Sequence, residues 1–204
     1  IKISTFILDL SGKNLILTMI FVGMACFILG MGLDAIPVYV TLATLMAPAL
    51  IQLGVPDVAA HLFVVYWGLA SFITPPLCLA VFVAISLSGS RLWETGWEAV
   101  KLGIAVFIVP FAFVLNPGLL LIGPPATIAL AIVTATAGAI LLACGIQGWG
   151  LTRLAVVSRI LAVAGGLLLI GPGVWTAVAG ITLGLVAVLP PYLMRSEKLS
   201  PSAP

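Results

Sequence analysis

The stretch of sequence that decides the fold is residues 58–86, which read VAAHLFVVYWGLASFITPPLCLAVFVAIS. It is apolar almost throughout and, at about 29 residues, exceeds the roughly 20 that an α-helix needs to cross a bilayer. Thr74, Pro75 and Pro76 interrupt it. Because proline lacks a backbone N–H and clashes with the preceding turn, we predict one membrane crossing built from two half-helices.

A second interruption lies upstream, within residues 15–53. An apolar run over 15–29 and another over 35–53 are separated only by GMGLD, which is too apolar for an aqueous loop. We therefore predict a re-entrant helical hairpin whose tip stays at membrane depth, where irregular backbone must be buried in protein or line a watery cavity. Two complete crossings would give the same topology, and ordinary Gly and Pro kinks would leave no site at either interruption.

The composition places the rest of the chain in a membrane as well. Hydrophobic residues make up 63% of the 204 residues and charged residues only 7%, against about 25% charged in a soluble domain. We predict an all-α polytopic membrane protein, with a further crossing at 100–115 and three C-terminal crossings at 126–145, 154–171 and 174–194.

These patterns divide the chain into residues 1–121 with the hairpin and the broken helix, a transmembrane extension over 122–195, and a polar tail over 196–204. Because the chain starts at Ile1 and not at Met, we expect it to be the C-terminal part of a longer protein. Lys and Arg gather on the side that the broken helix leads to, so we expect that side and the C-terminus to be cytoplasmic. The net charge of +2, with no basic cluster, leads us to expect no nucleic-acid partner.

The few polar side chains at the interruptions are the candidates for a site. Asp34 either caps the helix that begins at Ala35, which we favour, or faces a cation. Ser71 and Thr74 either ligate Na⁺ or donate back to helix carbonyls, which is the commoner use. Half-helix N-termini attract anions, and unwound carbonyls bind Na⁺. His61 follows an aqueous turn, where we expect neither a catalytic nor a metal-binding role.

Six motifs, in order along the chain, resemble those of the large membrane subunits of TRAP transporters. They are ILGMGL at 28–33, APAL at 47–50, AAHLF at 59–63, ITPP at 73–76, TGWEA at 95–99 and VPF at 109–111. The resemblance covers roughly residues 1–121. The three crossings that follow resemble, less closely, the C-terminal extension of fused permeases, in which the small and large subunits form one chain.

The resemblance implies half of an elevator-type, inverted-repeat importer that couples the uptake of organic anions, such as dicarboxylates, to Na⁺. The substrate positions that it implies are Gly32, Asp34, Thr74 and Pro75, and the Na⁺ positions are Gly30, Met31, Asp34, Ser71 and Thr74. Many members of the family continue Gly-Met-Gly-Leu with Pro-Thr-Thr, whereas this chain continues with Asp34, Ala35 and Ile36 and lacks those hydroxyls.

The implied partners are an extracytoplasmic solute-binding protein of the TAXI type, the rest of the permease chain and the lipid of a bacterial or archaeal cytoplasmic membrane. Na⁺ is the implied coupling ion, and no other cofactor and no catalytic residue is expected. Two other hypotheses compete with transport. A multipass membrane enzyme would have to use Asp57, His61 or the belt at 91–98, and a membrane-anchor subunit would have no transport site.

Overall fold

A computed structural model describes residues 2–150 and 152–199, with side chains as far as Val188. The predicted all-α class is confirmed, since no β-strand occurs in those two ranges. The chain separates into two compact units, Ile1–Leu120 and Leu121–Pro204.

The first unit is arranged around one central helix. Its helices are α1 (Lys2–Leu10), α2 (Leu15–Gly30), α3 (Ala35–Leu45), α4 (Ala47–Ile51), α5 (Asp57–Ala70), α6 (Leu79–Ser88), α7 (Leu92–Leu102) and α8 (Ala105–Leu115). The central helix is α5, which packs against α2, α3, α4 and α8. Phe63 and Val64 of α5 are fully buried beside Met19 and Leu50. In lipid, where no hydrophobic effect drives helices together, close packing of such side chains stabilises the contacts between helices.

The first arm of the hairpin, α2, begins at Leu15, where the apolar run over 15–29 starts. The side chain of Asn14 accepts a hydrogen bond from the N–H of Leu17 at 3.1 Å, as an N-cap does. Behind the cap, the buried hydroxyls of Ser11 and Thr18 lie 2.7 Å apart and satisfy each other. Buried polar groups without such partners would destabilise the start of the helix.

The second arm of the hairpin differs from the single helix predicted over 35–53. It is broken at Met46, whose φ of −110° and ψ of −40° separate α3 from α4. The physical reason is Pro48, which has no N–H to continue the hydrogen-bond ladder and occupies the first turn of α4. Because residues 35–53 are apolar almost throughout, the hydrophobicity of the sequence alone does not indicate this break.

Helices α7 and α8 follow each other almost without a break, the first amphipathic and the second wholly apolar. Only Gly103 and Ile104 separate them, and Leu92–Leu115 is long and apolar enough to cross a membrane by length and composition. Helix α7 carries the exposed side chains of Trp93 and Trp97. Exposed tryptophans at the end of an apolar helix are typical of a membrane interface.

The second unit contains α9 (Pro125–Gln147), α10 (Val156–Ile170) and α11 (Val174–Leu199). Of these, α9 is also long and apolar enough to cross a membrane, by length and composition. Helix α10 is shorter than the crossing predicted over 154–171, because the N–H of Leu154 bonds to the carbonyl of Gly148 at 3.0 Å and keeps it in the preceding loop. Within the predicted tail, 196–199 belong to α11 and 200–204 lie outside the described residues.

Candidate functional site

The tip of the hairpin reverses the chain in four residues. Helix α2 ends at Gly30, and the N–H of Met31 bonds to the carbonyl of Ile28 at 3.3 Å. Gly32 then adopts a φ of +81°, a left-handed conformation that glycine accepts without strain. The next helix is capped by Asp34, whose Oδ1 accepts the N–H of Ala35 at 2.8 Å. The favoured interpretation of Asp34 as an N-cap is therefore confirmed, and its role toward a cation stays a prediction.

The break at the proline pair lies where the sequence predicts it. After α5 a single 3-10 turn, Ser71–Ile73, ends at Thr74, which is extended with a φ of −109° and a ψ of 127°. A residue before proline is forced into such a conformation by the ring that follows. The Pro75–Pro76 peptide bond is cis, and α6 begins only at Leu79. Five residues, 74–78, thus lie outside any helix in the middle of this apolar stretch.

Both hydroxyls before the break donate back to their own helix. Ser71 Oγ donates to the carbonyl of Gly68 at 2.7 Å, and Thr74 Oγ1 donates to the carbonyl of Ala70 at 2.8 Å. A hydroxyl that donates its one hydrogen to a carbonyl still has two lone pairs, so its oxygen remains able to ligate a cation. Both hydrogen bonds satisfy carbonyls at the end of the helix, and the Na⁺ role of the two residues stays a prediction.

The tip and the break lie against each other. A Cβ atom added at Gly30 would lie 2.5 Å from the carbonyl oxygen of Gly68, so α2 and α5 touch through their backbones at this level. A Cβ added at Gly32 would lie 3.7 Å from Leu77 Cδ1, which is an ordinary contact distance. Two irregular segments that are about 45 residues apart in sequence therefore share one place in the fold.

Helix α7 supports the break from another side. A Cβ at Gly96 would lie 2.5 Å from Pro75 Cγ, and one at Gly103 would lie 2.5 Å from Ile73 Cδ1. Gly96 within α7 and Gly103 just after its end thus let the first proline and the 3-10 turn approach the backbone of this segment. Of the predicted site residues, Pro75 is the one that packs against Gly96 of α7.

The electrostatics of the two half-helix N-termini differ. At α3 the carboxylate of Asp34 already occupies the positive end of the helix dipole. At α6 the N-cap residue is Cys78, which makes no side-chain cap in the described part of the chain. The first backbone N–H groups of α6 are therefore the ones that remain to meet an anion at this site.

Sequence reasoning missed several residues that shape this region. Gly68 and Gly96 permit the close approaches: Gly68 is a lone glycine inside the apolar α5 and Gly96 belongs to the TGWEA motif, and neither pattern predicts the contact that it makes. Tyr39 Oη lies 3.3 Å from His61 Nδ1, and with Asp57 they line a surface cavity of about 360 Å³.

Within the described residues no three His, Cys, Asp or Glu side chains form a group that could hold a metal ion.

Comparison with known proteins gives one finding for this chain. The sequence model of the family described as "Tripartite ATP-independent periplasmic transporter, DctM component" matches residues 1–128, which include the whole first unit. Searches of curated proteins and of solved structures gave no match.

Proposed function

The chain belongs to the DctM component family of tripartite ATP-independent periplasmic transporters, and from this premise we propose that it belongs to a Na⁺-coupled importer of organic anions. As a member of this family it is a permease component in a multi-pass membrane assembly with a solute-binding protein and a small subunit. We also propose that the substrate is a carboxylate or dicarboxylate, that the solute-binding protein is of the TAXI type, and that the membrane is the cytoplasmic membrane of a bacterium or archaeon.

The observation that carries the proposal is the contact between the two interruptions. Gly32 of the tip lies beside Leu77 of the break, and Gly30 lies on the backbone of Gly68. Irregular backbone in an apolar environment must find polar partners, because each unpaired peptide group in lipid costs several kcal/mol. A Na⁺ ion and a carboxylate supply such partners from outside the chain, which is how discontinuous helices form transport sites.

For Na⁺, the ligands that we propose are oxygen atoms at the tip and the break. The hydroxyl oxygens of Ser71 and Thr74 retain lone pairs, and Asp34 has a carboxylate with one oxygen outside the capping bond to Ala35. Hard cations prefer such oxygen ligands. Carbonyl oxygens of Gly30 and Met31 complete the proposed set.

For the anion, we propose that the substrate carboxylate approaches the uncapped N-terminus of α6. The tip carries the carboxylate of Asp34, which repels a second carboxylate unless a cation lies between them. We therefore place Na⁺ between Asp34 and the substrate, with Gly32, Thr74 and Pro75 lining the substrate position. This order of charges makes anion binding depend on Na⁺, which is what coupling requires.

The exposed surface of α6 supports a larger assembly. Phe82, Val83 and Leu87 are 42%, 63% and 86% exposed, respectively, in this chain. A contiguous apolar face of this kind requires lipid or another part of the permease to cover it. We propose that an inverted second half of the permease and the bilayer supply that cover. We also propose that the C-terminus lies in the cytoplasm.

The test separates the capping role of Asp34 from its charge. Asp34→Asn keeps a side-chain oxygen that can accept the N–H of Ala35 but removes the charge, and Asp57→Asn is the matched control outside the site. Bound Na⁺ should stabilise the wild-type chain by about 2.7 kcal/mol at one hundred times its dissociation constant. We expect Na⁺, and not K⁺, to raise the unfolding temperature of the wild type and of Asp57→Asn, but not of Asp34→Asn.

A second arm of the test measures uptake of radiolabelled succinate, as a probe dicarboxylate, into proteoliposomes with the complete transporter. Thr74→Val should weaken the dependence of uptake on Na⁺, whereas Thr74→Ser, which keeps the hydroxyl, should preserve it. If Asp34→Asn and Thr74→Val both retain the wild-type response to Na⁺, the proposed site is wrong.

A further inference from the structure

The second unit contains an apolar groove that the proposed transport function does not use. Helix α10 packs against both α9 and α11, which contact each other only sparsely, so a furrow of about 460 Å³ remains between the two outer helices. Ala137, Leu141 and Cys144 line it from α9, and Gly180 and Gly184 line it from α11. None of the residues that line this groove is charged.

The dimensions of the groove fit a hydrocarbon chain. From Gly180 to Val188, which both line it, the groove extends eight residues along α11, or about 12 Å at 1.5 Å per residue. One leaflet of a bilayer core is about 15 Å deep. Water gains no hydrogen bond in such a lining, and an empty groove would forfeit dispersion contacts, so an acyl chain is the occupant whose chemistry matches.

One end of the groove is marked by a basic and aromatic loop. Gly150 lines the groove, and its N–H bonds to the carbonyl of Thr152 at 3.0 Å in the tight turn that joins α9 to α10. In the same turn, Arg153 places its guanidinium 5.9 Å from the ring centre of Trp149. Trp149 is 55% exposed, as is common for tryptophan at the level of lipid headgroups.

The two arginines near this loop have different tasks. Arg159 donates to the carbonyls of Gly145 at 3.1 Å and Ile146 at 2.8 Å, so it caps the C-terminus of α9. Arg153 has no acidic partner among the described side chains and remains available to a ligand. Residues 121–204 contain Arg153, Arg159, Arg195 and Lys198 but a single acid, Glu197.

We propose that this groove holds one acyl chain of an anionic glycerophospholipid whose phosphate pairs with Arg153. The apolar lining selects the tail, and the guanidinium fork matches phosphate oxygens with two parallel hydrogen bonds. Basic pockets between membrane helices recognise anionic headgroups by this combination. The site lies wholly outside the matched region 1–128 and would anchor the second unit in anionic membranes.

Native mass spectrometry of the full chain tests this inference, with equimolar phosphatidylglycerol and phosphatidylcholine that carry identical acyl chains. We expect the wild type to retain phosphatidylglycerol about fivefold better, the effect of one basic residue beside anionic lipid. Arg153→Gln should abolish that preference, whereas Arg91→Gln, which alters an exposed arginine of the first unit, should leave it unchanged.

A second pair of variants tests the tail. Ala137→Phe fills the groove from an exposed position on α9, and we expect it to reduce retention of both lipids. Ala143→Phe introduces the same ring at an exposed position of α9 that does not line the groove, and it should bind as the wild type does. Equal retention of the two lipids by the wild type, or no effect of Ala137→Phe, would overturn the proposal. A lipid-free mass of two chains would place a second copy in the groove and overturn it as well.

Discussion

The contact between Gly30 and Gly68 makes a quantitative prediction about the hairpin. In Gly30→Ala the new Cβ would meet the carbonyl oxygen of Gly68 at 2.5 Å, where ordinary contacts begin at 3.4 Å. The neighbour is backbone of the central helix α5, which cannot rotate out of the way. Helices α2 and α5 must therefore separate by about 0.9 Å at the level of the tip.

The expected loss follows from two opposing effects. Overpacking of this kind costs about 1–3 kcal/mol. Alanine regains part of that, because glycine in a helix is less favourable by roughly 0.5–1 kcal/mol. The central values of these two ranges leave a net loss of about 1 kcal/mol, which lowers the unfolding temperature of a chain of this size by about 2–4 °C.

Thermal unfolding of the chain in lipid nanodiscs, followed by tryptophan fluorescence, measures this loss. Gly103→Ala is the matched control: its Cβ would also lie 2.5 Å from a neighbour, but that neighbour is the flexible end of Ile73. We expect Gly103→Ala to lose clearly less stability than Gly30→Ala. Equal losses in the two variants, or an unaltered Gly30→Ala, would refute the backbone contact.

Three further variants test other parts of the structure. Asn14→Ala removes the cap of α2 and should cost about 1 kcal/mol, measured as faster amide exchange in the first turn, whereas Asn14→Asp should not; equal exchange in both would contradict the cap. Gly96→Ala would place a Cβ 2.5 Å from Pro75 Cγ and should lower Na⁺-driven uptake; unchanged uptake would show that this contact is dispensable. Gly138→Ala would meet the carbonyl of Gly166 at 2.8 Å and should lower the free energy of unfolding by about 1 kcal/mol once the helix gain of alanine is subtracted, and wild-type stability would argue against that packing.

The two interruptions could be predicted from the sequence because their causes are local. Two adjacent prolines remove two backbone donors wherever the chain runs, so the break after Thr74 does not depend on tertiary contacts. Gly32 provides the left-handed turn and Asp34 provides the cap, and both act within two residues of their own position. The same reasoning gave donation back to the helix as the commoner of two uses for the Ser71 hydroxyl, and the structure contains that hydrogen bond.

The contacts between segments could not be predicted in this way. Gly30 meets Gly68 only because α2 and α5 cross at that level, and nothing in either apolar run specifies the crossing. The pair formed by Tyr39 and His61 joins residues 22 positions apart on different helices. The break at Met46 does have a visible cause in Pro48, but the uniform hydrophobicity around it favoured one continuous helix.

The central claim is that the irregular backbone at the tip and the break faces an aqueous, ion-accessible space and not lipid. Labelling with a membrane-impermeant maleimide tests it most directly, in a chain without native cysteines that carries one new cysteine at a time. Leu33→Cys and Leu77→Cys probe the two segments, and Met24→Cys probes an exposed apolar position within α2. We predict that the first two are labelled and are protected together by Na⁺, while Met24→Cys is not labelled. Failure of both Leu33→Cys and Leu77→Cys to react, with or without Na⁺, would contradict the account.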